Sequence, residues 1–143
     1  MADNAVPHAD IIGIAVSGQT WADMLADIST QGAGLYRDLW RSIIIGWAGV
    51  NDAVAGASAA TIWSRMQQWA AIVRAQGYKV ILCTEIDGAN TALNGVSWHS
   101  SIWPDLNALI RGGWASVADG LADLGYQHAN ILTYVAAGTV GSG

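Results

Sequence analysis

The chain has 143 residues, of which 52% are apolar and only 12% charged, with a net charge of −5. That length fits one domain, and so apolar a composition excludes an intrinsically disordered chain. The six basic residues are spread from Arg37 to Arg111, which excludes recognition of a nucleic-acid backbone, since that needs Lys and Arg clustered in one patch.

The first residues, Met1 to His8, are polar and acidic rather than basic and then apolar, so no secretory leader is expected there. No apolar run approaches the ~20 residues a membrane helix needs, and the chain is expected to be soluble and, by default, cytoplasmic. Cys83 is the single cysteine, so there is no intrachain disulfide. It lies in an apolar run without basic neighbours, as a buried structural thiol does and a reactive one does not.

In chain order, residues 11–16 form an apolar run without alternation, which predicts a strand covered on both faces. Trp21, Met24, Leu25 and Ile28 then recur at helical spacing, until Gly32 and Gly34 are expected to interrupt. A second strand is expected at 42–47. The next helix has Ser58 as N-cap, a stripe of Ile62, Met66, Trp69, Ile72 and Val73, and Gly77 just past its end. A third strand follows at 79–84. Pro104 suits the first turn of another helix through Leu106, Leu109 and Ile110. Gly112 and Gly113 are expected to break that helix before a further helical stretch through Trp114, Val117 and Leu121. Residues 130–135 form a weaker fourth strand. This alternation predicts an α/β fold with a mostly parallel sheet, whose ligand crevice lies beyond the carboxyl ends of the strands. The eight Trp residues, with no Phe, are assigned mainly to the core, although Trp98 and Trp103 also suit a partner or sugar-binding surface.

The residues that follow each strand are therefore the candidates. Ser17 and Gly18 form a tight turn before a helix, whose free N–H groups make an anion or oxyanion site. The same residues also suit an ordinary turn capped by Thr20 or Ser17. After the second strand, Gly49 permits close backbone approach and Asn51 offers an uncharged amide donor. Asp52 fixes the loop or caps the next turn, and Asn51-Asp52 also suits plain turn chemistry. The carboxylates of Thr84-Glu85-Ile86-Asp87-Gly88 read as routine turn residues. No His or further carboxylate stands at ligand spacing to make them a cation site or an acid/base pair.

Taken in order, these segments resemble the SGNH (GDSL-type) hydrolases over roughly residues 10–125. Ile14-Ala15-Val16-Ser17-Gly18-Gln19-Thr20, with Ala22-Asp23-Met24-Leu25 after it, is similar to the family's second block. Gly49-Val50-Asn51-Asp52 matches the Gly-x-Asn-Asp of its third block. The resemblance implies that the Gly18 N–H and the Asn51 side chain are oxyanion donors. It also implies a flavodoxin-like three-layer α/β/α fold with a mostly parallel sheet, here without the family's first strand. That first block, Gly-Asp-Ser with the nucleophile, and the last, Asp-x-x-His, have no counterpart in these residues. Asp123 and His128 stand five apart and take no role, and His8 and His99 read as loop or surface residues. Nucleophile and base are thus unassigned, and residues 1–143 are expected to form one incomplete domain.

The expected activity is weak hydrolysis of a small-molecule or carbohydrate ester. The alternative is a non-catalytic binding or assembly module, homo-oligomeric through the gap in its sheet. A flavin or nucleotide binder has the same layer pattern but would need a Gly-rich phosphate loop. No metal or organic cofactor is implied.

Overall fold

The computed structural model describes residues 13–35, 42–86, 92–93, 96–97 and 102–125. The apolar runs in the middle of the chain become the sheet. Strand β1 (Ile43–Gly46) pairs parallel with β2 (Lys79–Cys83), Ile44 opposite Val80 and Gly46 opposite Leu82. Strand β5 (Gly120–Ala122) continues the sheet on the far side of β2, also parallel, with Leu121 opposite Leu82. The order β1-β2-β5 follows the chain, so each step needs a crossover. Helices α2 (Val50–Val54) and α3 (Ala59–Ala75) supply the first, and α4 (Trp103–Val117) lies in the second. Helix α1 (Trp21–Leu35) packs beside α3. A two-stranded antiparallel pair, β3 (Ala92–Leu93) and β4 (Val96–Ser97), stands apart from the main sheet. The architecture is thus mixed α/β around a parallel three-stranded open sheet.

Alternation sends Val80 and Leu82 to one face of β2, where both are fully buried with Trp21, Ile62, Met66, Trp69, Val73, Leu106 and Ile110. Ile43 and Ile45 point to the opposite face and are 58% and 62% exposed. On the packed face the rings of Trp21 and Trp69 meet edge to face, centroids 5.4 Å apart. They occupy the space where a side chain of Gly46 would be: a Cβ there would lie 2.8 Å from Trp69 and 2.9 Å from Trp21.

Helix α3 forms as its sequence predicts. Ser58 Oγ accepts from the Thr61 N–H at 3.2 Å. At the other end Gly77, at φ 99°, closes a Schellman turn in which Tyr78 N donates to Val73 O and Gly77 N to Arg74 O. Ile62, Met66, Trp69 and Val73 are buried, whereas Ile72, one residue off that stripe, is exposed.

Four expectations are corrected. Residues 14–16 are not in a strand; Val16 is exposed and leads into a turn in which Gln19 N donates to Val16 O. An apolar run specifies burial, but a strand also needs a neighbour for its N–H and C=O groups, and no described strand runs beside this one. Helix α1 continues through Gly32 and Gly34, because two glycines cost only about 1 kcal/mol each. Helix α4 likewise runs on through Gly112 and Gly113. Gly113 serves packing: a Cβ would come 2.6 Å from Cζ2 of the buried Trp63. Leu121 is then in β5 rather than in a helix. The chain turns at Asp119, whose N–H donates to Val80 O while its carboxylate accepts from the Val80 N–H. Pro104 falls in the first turn of α4 as expected. The expected strand at 130–135 lies outside the described residues.

Candidate functional site at the carboxyl ends of the strands

Parallel pairing brings the carboxyl ends of β1 and β2 to one edge, and three loops converge there. The first loop precedes α1. Gly18, at φ 85°, sits in the turn beside the exposed Ser17. Thr20 caps the helix: Asp23 N donates to Thr20 Oγ1, and Thr20 N and Oγ1 donate back to the Asp23 carboxylate at 2.8 and 2.7 Å. The Thr20 hydroxyl and backbone bonds hold the Asp23 carboxyl below the usual carboxylate range.

The second loop follows β1. Gly49, at φ 156°, opens α2, which carries Asn51 and Asp52. Asp52 is fully buried and does not cap its own turn; it reaches the start of α1. Its Oδ2 accepts from the Trp21 N–H at 2.8 Å and its Oδ1 from Arg65 Nη1 at 2.7 Å. The Trp21 indole N–H donates to Ala48 O. Asn51 Nδ2 donates to Gln19 O at 3.0 Å, so its amide touches the residue after Gly18. The two residues singled out from the sequence, Gly18 and Asn51, are therefore brought to adjoining turns. A side-chain amide nitrogen carries two hydrogens, and the bond to Gln19 uses one.

The third loop follows β2, and its central residue is the one the sequence reading passed over. Glu85 is 6% exposed. Its backbone is clamped by Asn107 of α4: Glu85 N donates to Asn107 Oδ1 at 2.7 Å, and Asn107 Nδ2 donates to Glu85 O at 2.8 Å. The carboxyl lies against Gly49, where a Cβ would be 3.2 Å from Glu85 Oε1. Burial pushes the Glu85 carboxyl up to about 7; a hydrogen bond from the Trp47 side chain opposes the rise and the charge of Asp52 adds to it. Two residues before it, Cys83 is a buried thiol, raised to about 11 by burial and by Glu85.

The end of β5 brings a carboxylate to this edge, but one with structural partners. Asp123 accepts from Thr84 Oγ1 at 2.8 Å and from Nε and Nη2 of Arg111 at 2.9 and 2.8 Å. Thr84 Oγ1 also accepts from Gly125 N. His8, His99, His128, Asp87, Gly88 and Trp98 lie outside the described residues. Trp103 is half-buried and packs against the core. A groove of about 560 Å³ between the start of α3 and the first two turns of α4 is lined by Ser58, Ala59, Ala60, Asp105, Ala108 and Leu109, and by none of Gly18, Asn51 or Glu85. Among the described residues no group of three or more His, Cys, Asp or Glu is placed to hold a metal ion. No described helix is long and apolar enough to cross a membrane.

Compared with known proteins, the chain matches no family model, no curated protein and no solved structure.

Proposed function

We propose that the chain carries the oxyanion half of an SGNH-type ester hydrolase site on a flavodoxin-like three-layer scaffold, acting on carboxylic or carbohydrate esters. The observation that carries this reading is the Asn51–Gln19 bond, which couples the Gly18 turn to the loop after β1 at the carboxyl edge of a parallel sheet. In this reading the Gly18 N–H and the second Asn51 N–H stabilise the negative oxygen of a tetrahedral intermediate. Both donors are uncharged and pre-oriented, Asn51 by Gln19 and its loop by Asp52. One such donor contributes ~100- to 1,000-fold to turnover. Nucleophile and base stay unassigned: Asp52 and Asp123 are engaged in structural bonds. Donors without them give weak acceleration.

The test is fluorophosphonate labelling of the purified chain beside a short-chain ester assay. Labelling lost in Ser17→Ala, with turnover falling ~100-fold or more in Asn51→Ala, supports a working site. No labelling and no turnover above buffer refute the enzyme reading.

A second reading is a non-catalytic assembly module that pairs with its own copy. It is favoured by Ile43 and Ile45 of β1 and by Trp47 just after it, whose apolar side chains are exposed. A light-scattering mass of one chain at high concentration would refute it.

A further inference from the structure

Glu85 combines three features that its role as a loop residue does not require. It is more than nine-tenths buried, and its Oε1 has no hydrogen-bond partner in the described structure. Its backbone cannot yield, because Asn107 holds both its N–H and its C=O. Its carboxyl is seated against the loop that carries Asn51: the missing Cβ of Gly49 would be 3.2 Å from Oε1 and 3.4 Å from Leu106 Cδ2, and Trp47 donates from the same loop.

The groups around it are few. From the β1 loop and α2 comes Asp52, paired with Arg65 of α3. From β2 comes the Cys83 thiol, which senses the Glu85 charge. Helix α4 contributes Leu106 and Asn107 here, and its Arg111 is paired with Asp123 beside Thr84. Among the described residues no cation faces the Glu85 carboxyl.

We propose that Glu85, in its neutral form, is a positioning residue that seats the loop from Trp47 to Asn51 against the end of β2, and that loss of its proton unseats that loop. The inference borrows its functional meaning, though not its physics, from the reading of Asn51 as an oxyanion donor. A neutral carboxyl with one unmade hydrogen bond is a modest cost in this pocket. An ionised one, with a single donor from Trp47, an oxygen facing carbon atoms and Asp52 close by, is a much larger one. The cheapest relief is for the loop to lift and let water reach Oε1. Gly49 already stands at a backbone angle that only glycine adopts readily, and Asn51, two residues on, would be drawn from Gln19. The proton leaves near neutral pH, where burial has placed it. The site is thus closed in mild acid and open in mild base.

The experiment is an NMR titration of the full chain, labelled with carbon-13 and nitrogen-15, from about pH 5 to about pH 9. The Glu85 carboxyl carbon should titrate with a midpoint near 7. The Trp47 indole N–H, the Gly49 amide and the Asn51 side-chain amide should move with the same midpoint. In Glu85→Gln these three should stay flat, and in Trp47→Phe the Glu85 midpoint should rise, because the indole bond favours the charged form. A Glu85 midpoint in the ordinary range of about 4 to 5 overturns the proposal. So does a loop that stays still while Glu85 ionises, or one that still titrates in Glu85→Gln, which would assign the change to a histidine. Should Glu85→Gln fail to fold, the wild-type midpoints decide. Since no readout depends on turnover, an inactive protein that shows these shifts retires the esterase reading and keeps the switch. An active one without them does the reverse.

Discussion

Replacing Glu85 by Gln should abolish most of the pH dependence of stability between mild acid and mild base. The folded protein holds this proton to about 7, against 4.5 for an unperturbed carboxyl. Between those values the folded chain binds more protons than the unfolded one, so stability falls as pH rises. The contribution is fully present below 4.5 and lost as pH passes through about 7. At ~1.4 kcal/mol per tenfold change in proton affinity, the loss comes to about 3 kcal/mol. That is a large share of the 5–15 kcal/mol typical of a domain, so it is measurable. The assay is equilibrium urea unfolding followed by Trp fluorescence at several values from about pH 5 to about pH 8.5, for wild type and Glu85→Gln. Three other shifted groups move away from this window: Asp23 and Asp119 lie below the usual carboxylate range, and Cys83 is raised to about 11. Histidines are common to both proteins and drop out of the difference. Wild type should lose about 3 kcal/mol relative to the variant across the window. Parallel curves would refute the assignment of a buried, proton-holding carboxyl to Glu85.

Asp52→Ala should destabilise by about 3 kcal/mol in denaturant unfolding, because it strands the buried Trp21 N–H and the Arg65 guanidinium together; a loss under ~1 kcal/mol would mean that water replaces the carboxylate. Gly112→Ala and Gly113→Ala form a matched pair in one helix. The first has open space and should gain up to about 1 kcal/mol, whereas the second meets Trp63 at 2.6 Å and should lose about 1–3 kcal/mol. Equal effects on thermal unfolding would contradict that packing. Cys83 should react with a thiol reagent near pH 8 only as fast as the protein opens, and rapidly in denaturant, since burial raises its thiol to about 11; fast native labelling would contradict its burial.

Where a local signal suffices, sequence and structure agree. Ser58 and Gly77 mark the ends of α3 because a cap needs only its own turn. The Ile-rich and Val-rich runs at 43–46 and 79–83 are strands that find each other in parallel. Gly18 and Asn51 were legible as turn residues, each from its position after an apolar run, and the structure brings their turns together through the bond from Asn51 to Gln19 O. The antiparallel pair β3–β4 was not anticipated, although the sequence carries Asn94-Gly95, a dipeptide favoured in two-residue turns. Strand β5 had no such signal, being three residues long and recruited by Asp119.

The sequence by itself determined the α/β alternation, the caps and the turn chemistry, since each depends on neighbours within one or two turns of chain. Only the tertiary structure decided that Asp52 closes the start of α1, that Gly46 and Gly113 make room for tryptophan rings, and that Glu85 lies buried beneath Gly49. Those facts rest on contacts between segments far apart in the chain. Burial, which sets both the proton affinity of a carboxyl and the worth of a missing Cβ, is a property of the packed whole.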